Sequence, residues 1–472
     1  MMRNLAAIPC LALACSAAAP ARAETLEFPP FGAVAVYRPS TPIERVALFV
    51  SGDGGWNQGV VDMARELQEM GWLVAGVDIR KYLARLESSK SACAYPAGDF
   101  EALGQYVQKK LALPQFIRPI LVGYSSGATL VYAVLAQAPS GTFGGAVSLG
   151  FCPDLEIVKP PCKGSGLTVR PRPKGKGFLL DAKASLAEPW RVLQGEIDQV
   201  CAPQATESFV AAIPTAKLYR LPKVGHGYSV PRNWLPQFRE AAREVAERNV
   251  QEARPGPPPA GAREVPSVDD LPLITVPATG TPRDALAVIL TGDGGWSGLD
   301  KEVAGALSER GVACIGWNSL KYYWTQRTPE SAAGDLVRIL RYSLAGLGDA
   351  RIMLVGYSLG ADVLSFLVAR LPEDLKSRIA SVTLIAPSTS VAFEFHLSNW
   401  LGGNQPDALP TLPEAKKLAG MKLLCLYGSE EKESLCGVLP PGLAEVESLP
   451  GGHHFGGDYE AVAARILKTA GL

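Results

Sequence analysis

Short apolar runs alternate with stretches of helical periodicity along both halves of the chain. In the second half, residues 285–290 form an apolar run of strand length, and Gly292-Asp-Gly-Gly-Trp296 follows it closely. Residues 301–310 place apolar side chains at helical spacing, and residues 312–317 form the next run. A helical pattern over 334–342 precedes the run at 351–355, and further runs lie at 381–386 and 422–427. Alternating strand and helix units predict a parallel sheet with helices on both faces. Reactive groups in such sheets lie beyond the carboxyl ends of the strands.

The run at 351–355 ends in Gly356-Tyr-Ser358-Leu-Gly360, and a helical pattern starts at Ala361. Strand, sharp turn with a serine at its tip, and helix together make a nucleophile elbow. The flanking glycines let the turn close tightly and the helix pass near the strand. Gly123-Tyr-Ser125-Ser-Gly127 repeats the arrangement in the first half.

The repeat extends well beyond the elbows. Ser51-Gly-Asp-Gly-Gly-Trp56 recurs as Thr291-Gly-Asp-Gly-Gly-Trp296, Gly71 as Gly311, and Lys81-Tyr82 as Lys321-Tyr322, all at one offset. Matching cysteines (Cys201, Cys436) and Gly-His pairs (His226, His453) follow in the same order. Features in one order at near-constant spacing indicate a duplicated domain. The fold class read here is α/β, with two tandem α/β-hydrolase-like domains, each built on a mainly parallel central sheet. Their bounds are 24–248 and 271–472. Residues 249–270, with Arg254-Pro-Gly-Pro-Pro-Pro, read as a stiff Pro/Gly-rich linker.

With 472 residues, 47% of them apolar and 19% charged, the chain can bury two cores. Its formal net charge of zero argues against nucleic acid as a partner. Residues 1–23 read as a cleaved signal peptide: Arg3, an apolar run from Leu5, then Ala21-Arg-Ala23. Cys15 lacks a good lipobox before it. A periplasmic location is expected. Seven cysteines remain after cleavage. Cys314 and Cys425 fall in apolar strand patterns and read as buried small hydrophobes. Cys152 and Cys162 flank a Pro-rich loop and are candidate disulfide partners.

A serine hydroxyl needs a base beside it to act as a nucleophile. His226 and His453 sit in glycine-rich loops late in each half, with His454 the alternate to His453. The base needs a carboxylate to fix its tautomer. Aligning the halves on the cysteine that follows pairs Asp198 with Glu433, the favoured acids, and leaves Glu431 as the alternate. The order serine, acid, histidine is that of α/β-hydrolases. Oxyanion donors are expected at the backbone of Leu359 and Ser126, and of Gly294 and Gly54 in the early glycine loops. Asp293 and Asp53 either cap the following helix or meet a cationic substrate group. Asp362, four residues after Ser358, is another acid near the site, and Thr129 stands at its counterpart. Trp296, Glu394 and His396 complete the expected substrate-binding set. Residues 157–177 hold Lys159, Lys163, Arg170, Arg172, Lys174 and Lys176 without an acid, which suits anionic head groups or a solvated loop equally. The aromatic insertion from Phe393 to Trp400 suits a pocket lining or plain core packing. No metal or nucleotide motif is present, and no cofactor is expected.

Gly292-Asp-Gly-Gly-Trp, Gly356-Tyr-Ser-Leu-Gly-Ala-Asp362, Phe393-Glu-Phe-His396, Ser434-Leu-Cys436 and Gly451-Gly-His-His-Phe455 resemble the bacterial virulence protein family VirJ/AcvB. The second half is similar to the single-domain form, and the whole chain to the two-domain form. The resemblance implies a periplasmic serine hydrolase of aminoacylated phosphatidylglycerol, such as the lysyl or alanyl ester. It further implies Ser358 as nucleophile, Glu433 as acid and His453 as base, although an aspartate would be expected at 433. The alternatives are a general carboxylesterase, or a catalytically idle envelope scaffold that partners secretion-system proteins.

Overall fold

A computed structural model describes residues 24–162, 166–252, 266–345, 347, 349–396 and 407–472. The expected signal peptide, most of the expected linker, Lys163 and Trp400 lie outside the described residues.

Each half builds its own sheet. In the first, the strands lie in the order Glu24–Phe28, Gly32–Tyr37, Trp72–Val77, Arg45–Val50, Ile120–Tyr124, Ala146–Leu149, Trp190–Gly195, Ala216–Leu221. The first two pair antiparallel and the other six run parallel. The second sheet repeats this with one antiparallel edge strand, Leu273–Val276, followed by Ala313–Trp317, Ala285–Leu290, Arg351–Tyr357, Ile379–Ile385, Leu423–Gly428 and Glu445–Leu449. Central strands covered on both faces cannot alternate apolar and polar positions. Val46 to Val50 and Ile352 to Val355 are accordingly unbroken apolar runs, all buried. Both halves have the α/β-hydrolase arrangement that the periodicity predicts.

Helix ends follow local chemistry. The pattern at 334–342 lies inside a helix that starts earlier, at Pro329. Thr328 and Ser331 cap it reciprocally, and Pro329 occupies a first-turn position where its missing N–H costs nothing. The helix Leu235–Glu252 runs into the start of the expected linker, and Val268 and Leu271 are buried in the second core. The segment free of both domains is therefore shorter than 249–270.

The cysteine expectations need correction. Cys152 is bonded to Cys201 and Cys162 to Cys93, so the 152–162 pairing does not form. Cys425 is no free hydrophobe, because it is bonded to Cys436. Among the described residues Cys314 is the one free cysteine, and it is buried. Two of these bridges pin the loops that follow Gly195 and Gly428, which carry the candidate acids.

The halves are packed against each other. The helix Pro96–Lys110 of the first half bonds to two loops of the second, at Asp293 and Trp324. Gln105 Nε2 donates to the Asp293 carbonyl at 3.4 Å, and Lys109 Nζ to the Trp324 carbonyl at 2.5 Å. Trp324 is buried and donates through Nε1 to the Leu113 carbonyl at 2.8 Å, beside Phe116 and Phe395.

Candidate active sites

Both serines sit at strained turns. Ser125 has φ 57° and Ser358 has φ 51°, a left-handed backbone that a residue with a Cβ adopts only under constraint. Hydrogen bonds from Ser125 N to the Leu149 carbonyl and from Ser358 N to the Ile385 carbonyl, both 2.9 Å, hold the turns in place. A Cβ on Gly123 or Gly356 would run into the backbone at Gly127 or Gly360, so the flanking glycines are required sterically.

In the first half the hydrogen-bond chain is complete. Ser125 Oγ lies 2.8 Å from His226 Nε2, and His226 Nδ1 lies 2.8 Å from Asp198 Oδ2. Asp198 is buried, and its carboxylate also accepts from Val200 N, Cys201 N and Gln194 Nε2. Asp198, Cys201 and His226 have the spacing of metal ligands. Cys201, however, is in a disulfide and offers no thiolate.

In the second half, His453 Nδ1 lies 2.7 Å from Glu431 Oε1, and Gly428 N donates to Glu431 Oε2 at 2.7 Å. Glu433, the favoured acid, is exposed, and among the described residues no hydrogen bond joins it to the histidine. The correction has a clear cause. Asp198 and Glu431 each lie three residues beyond the last glycine of their strand, Gly195 and Gly428. The second half has two more residues between acid and cysteine, so alignment on the cysteine slips the register. Alignment on the strand ends, at the same offset as the two elbow serines, finds Glu431. His454 turns instead to the Tyr357 hydroxyl at 2.9 Å, which leaves His453 as the candidate base. Among the described residues no hydrogen bond joins Ser358 Oγ to His453, unlike its counterpart in the first half.

Burial works against ionised Glu431, yet its bonds from His453 and Gly428 hold it below the usual carboxylate range. His453 is pulled down by burial but raised more by Glu431, Asp293 and Asp362, and ends above its ordinary value. Asp362 is buried and accepts from Ser388 N at 2.5 Å. Burial pushes its carboxyl up to about 7, and nearby Asp293 adds to the shift. Asp293 is raised by burial as well, though His453 and the N–H groups of Asp293 and Gly294 partly oppose this. Asp293 and Asp362 both act electrostatically on His453, and each raises its pKa.

Other expected residues sit elsewhere. Glu394 is 3.1 Å from Lys109 of the first half, so it neutralises a cation at the domain interface. His396 borders a cavity with Arg327, Phe393 and Asp407, away from Ser358. Phe393 and Phe395 are buried core side chains. Trp296 lies over Gly316, as Trp56 lies over Gly76, so both tryptophans pack the loop onto its neighbouring strand. The Leu359 and Ser126 N–H groups open helices and have no intrahelical acceptor. In the glycine loops, Gly292 and Gly52 lie closest to the serines, against Ser358 Cβ and Ser125 Cβ. Gly294 faces Glu101 of the first half, and Gly54 faces Asn57.

Three contributions escaped the sequence. Tyr124 and Tyr357, the residues before each serine, bond the carbonyls of His226 and His453 at 2.8 Å and 3.3 Å, anchoring the histidine loops. Their recurrence in both elbows was the available signal. Gln194 braces Asp198. Glu101 meets the Asp293 loop from the other half, and burial with Asp293 nearby pushes its carboxyl up to about 8. No local pattern marks a residue that acts across a domain interface.

The sequence matches the bacterial virulence protein (VirJ) family over residues 44–143 and 284–471, more than half of the chain. The chain belongs to this family. The two stretches fall one in each half, and the VirJ match takes in Ser358, Glu431 and His453 but stops before Asp198. None of the curated proteins compared is detectably similar in sequence. Among solved structures, this VirJ member is similar to Est1E from Butyrivibrio proteoclasticus (12% identity, TM-score 0.31), which matches 49% of this chain and 98% of that one. It is also similar to XC6422 from Xanthomonas campestris, described as an a/b serine hydrolase without lid (22%, TM-score 0.32, 48% and 93%). A dienelactone hydrolase from Anabaena variabilis aligns likewise (14%, TM-score 0.34, 49% and 99%). Each such match spans about one half of the chain.

Proposed function

We propose that the protein is a serine ester hydrolase whose second domain frees the amino acid from aminoacyl-phosphatidylglycerol, such as the lysyl or alanyl ester. The observation that carries this reading is two acids next to Ser358: Asp362 lies one helical turn on, its N–H bonded to the Ser358 carbonyl at 3.0 Å, and Asp293 follows Gly292, which lies against Ser358 Cβ. An aminoacyl ester has an ammonium next to its scissile carbonyl, and acids at that position suit it. His453 takes the Ser358 proton, and Oγ attacks the carbonyl carbon. Leu359 N–H stabilises the oxyanion. The phosphatidylglycerol hydroxyl leaves with the proton, and water then releases the amino acid from Ser358. A cationic lipid becomes an anionic one.

Asp362 stands at about 7 and so is partly protonated near neutrality. A bound ammonium favours the ionised form and drives that proton off. Asp362→Asn therefore raises KM for an alanyl ester by about tenfold, the weight of one lost charge interaction, and leaves the N-acetylalanyl ester nearly unchanged. Steady-state kinetics on the two esters checks this, and equal changes in both contradict it.

This reading locates the exported protein in the periplasm, at the surface of the membrane that holds its substrate. Of the basic loop, Arg170 pairs with Asp181, and Arg172 with Asp154 and Glu156, while Lys174 and Lys176 stand exposed to meet head groups. The assembled Ser125 chain supports an enzyme over an idle envelope scaffold, since binding alone needs no such alignment.

A further inference from the structure

We propose that the first half is a second, separately working ester hydrolase, centred on Ser125 and shaped for an uncharged, apolar acyl group. This does not rest on the aminoacyl reading of Ser358.

The machinery is complete. Ser125, His226 and Asp198 are joined by two contacts of 2.8 Å. The acid loop is fixed by the Cys152–Cys201 bridge, and the histidine loop by Tyr124. A chain of this accuracy costs backbone strain at Ser125. It is what the chemistry requires: the Ser125 proton passes to His226 Nε2 as Oγ bonds to the ester carbonyl carbon. The oxyanion forms beside Ser126 N–H. The C–O bond then breaks and the alcohol departs with that proton. Water adds to the acyl-serine, giving its proton to His226, and the carboxylic acid leaves as Ser125 Oγ recovers it.

The surroundings set the acyl group. Aligned on the strand ends, Ile197 and Val200 of the first acid loop correspond to Glu430 and Glu433 of the second. Ile197 is 60% exposed and Val200 is 68% exposed, beside the catalytic acid. Glu430 and Glu433 are exposed carboxylates. Val230, just beyond the histidine loop, adds a third exposed apolar side chain. Exposed branched residues concentrated at a catalytic rim mark a surface for apolar substrate. Within the site, Thr129 replaces Asp362 and spends its hydroxyl on the Cys152 carbonyl. The loop acid also differs in setting: Asp53 is exposed, whereas Asp293 is half-buried beneath the other domain. The two sites thus share the order serine, acid, histidine and differ in the polarity of the acid loop at the rim.

The test uses the full chain with Ser358→Ala as background, which removes the other nucleophile, and p-nitrophenyl acetate and butyrate as probes. We expect steady hydrolysis of both, with butyrate preferred, and a loss of about 10³-fold or more in kcat on adding Ser125→Ala. A fluorophosphonate probe on the wild-type chain should leave its adduct on the peptide containing Ser125. Ile197→Glu with Val200→Glu should lower the butyrate-to-acetate ratio of kcat/KM severalfold. Background activity no greater than that of the double serine variant, or no adduct at Ser125, overturns the second centre. An unchanged ratio overturns the apolar specificity.

Discussion

Glu431→Gln lowers kcat for amino-acid release by about 10⁴-fold, the effect of leaving a catalytic histidine in the wrong tautomer. Glu433→Gln, two residues on, changes it less than about threefold, as expected for an exposed side chain outside the site. Glu431 accepts from His453 Nδ1 at 2.7 Å and is itself held by Gly428 N. Glutamine keeps the shape but offers an amide where the imidazole N–H needs an acceptor. The pH profile separates loss of this charge from misfolding. His453 works unprotonated, and Glu431 is the chief influence raising its pKa against burial. Activity in the wild type is therefore lost as pH falls through a point above the ordinary histidine value. In Glu431→Gln the residual activity should persist to lower pH. An acid limb that stays in place, or a dead Glu433→Gln, contradicts the assignment.

Ser358→Ala abolishes release of the amino acid, down to the ~10³–10⁴-fold over water that oxyanion and binding interactions leave behind. Ser125→Ala retains most of that release. The distinction rests on charge. Asp293 and Asp362 flank the second site, and Glu101 of the neighbouring domain closes on the same loop. The first site keeps only an exposed Asp53 in place of Asp293, has Thr129 in place of Asp362, and carries Ile197 and Val200 where the second acid loop has Glu430 and Glu433. An ammonium therefore meets more carboxylates near Ser358 than near Ser125. Loss of release in Ser125→Ala with near-normal Ser358→Ala reverses the roles of the two sites.

The fold was legible because each signal was local. Apolar runs gave the parallel strands, Gly-Tyr-Ser with its helix gave the elbows, and recurrence gave two domains. The chemistry was partly legible for the same reason: Ser125, Asp198, His226 and His453 lie where their motifs put them. Glu431 is hidden from an alignment on Cys436 because a two-residue insertion separates that cysteine from the register set by Gly428. Glu394 was misread because its partner, Lys109, comes from the other domain. The Cys93–Cys162 bridge spans 69 residues of sequence, and neither cysteine's neighbours name the other. What depends on packing between distant segments, including the closure of the second site by the helix Pro96–Lys110, leaves no periodic trace.

The most direct test is to incubate the purified wild-type protein with liposomes containing lysyl-phosphatidylglycerol and measure free lysine and phosphatidylglycerol. Both should accumulate in equal amounts, and Ser358→Ala should form neither above buffer. Lipid left intact by the wild-type protein, with Ser358 accessible to a fluorophosphonate probe, would contradict it.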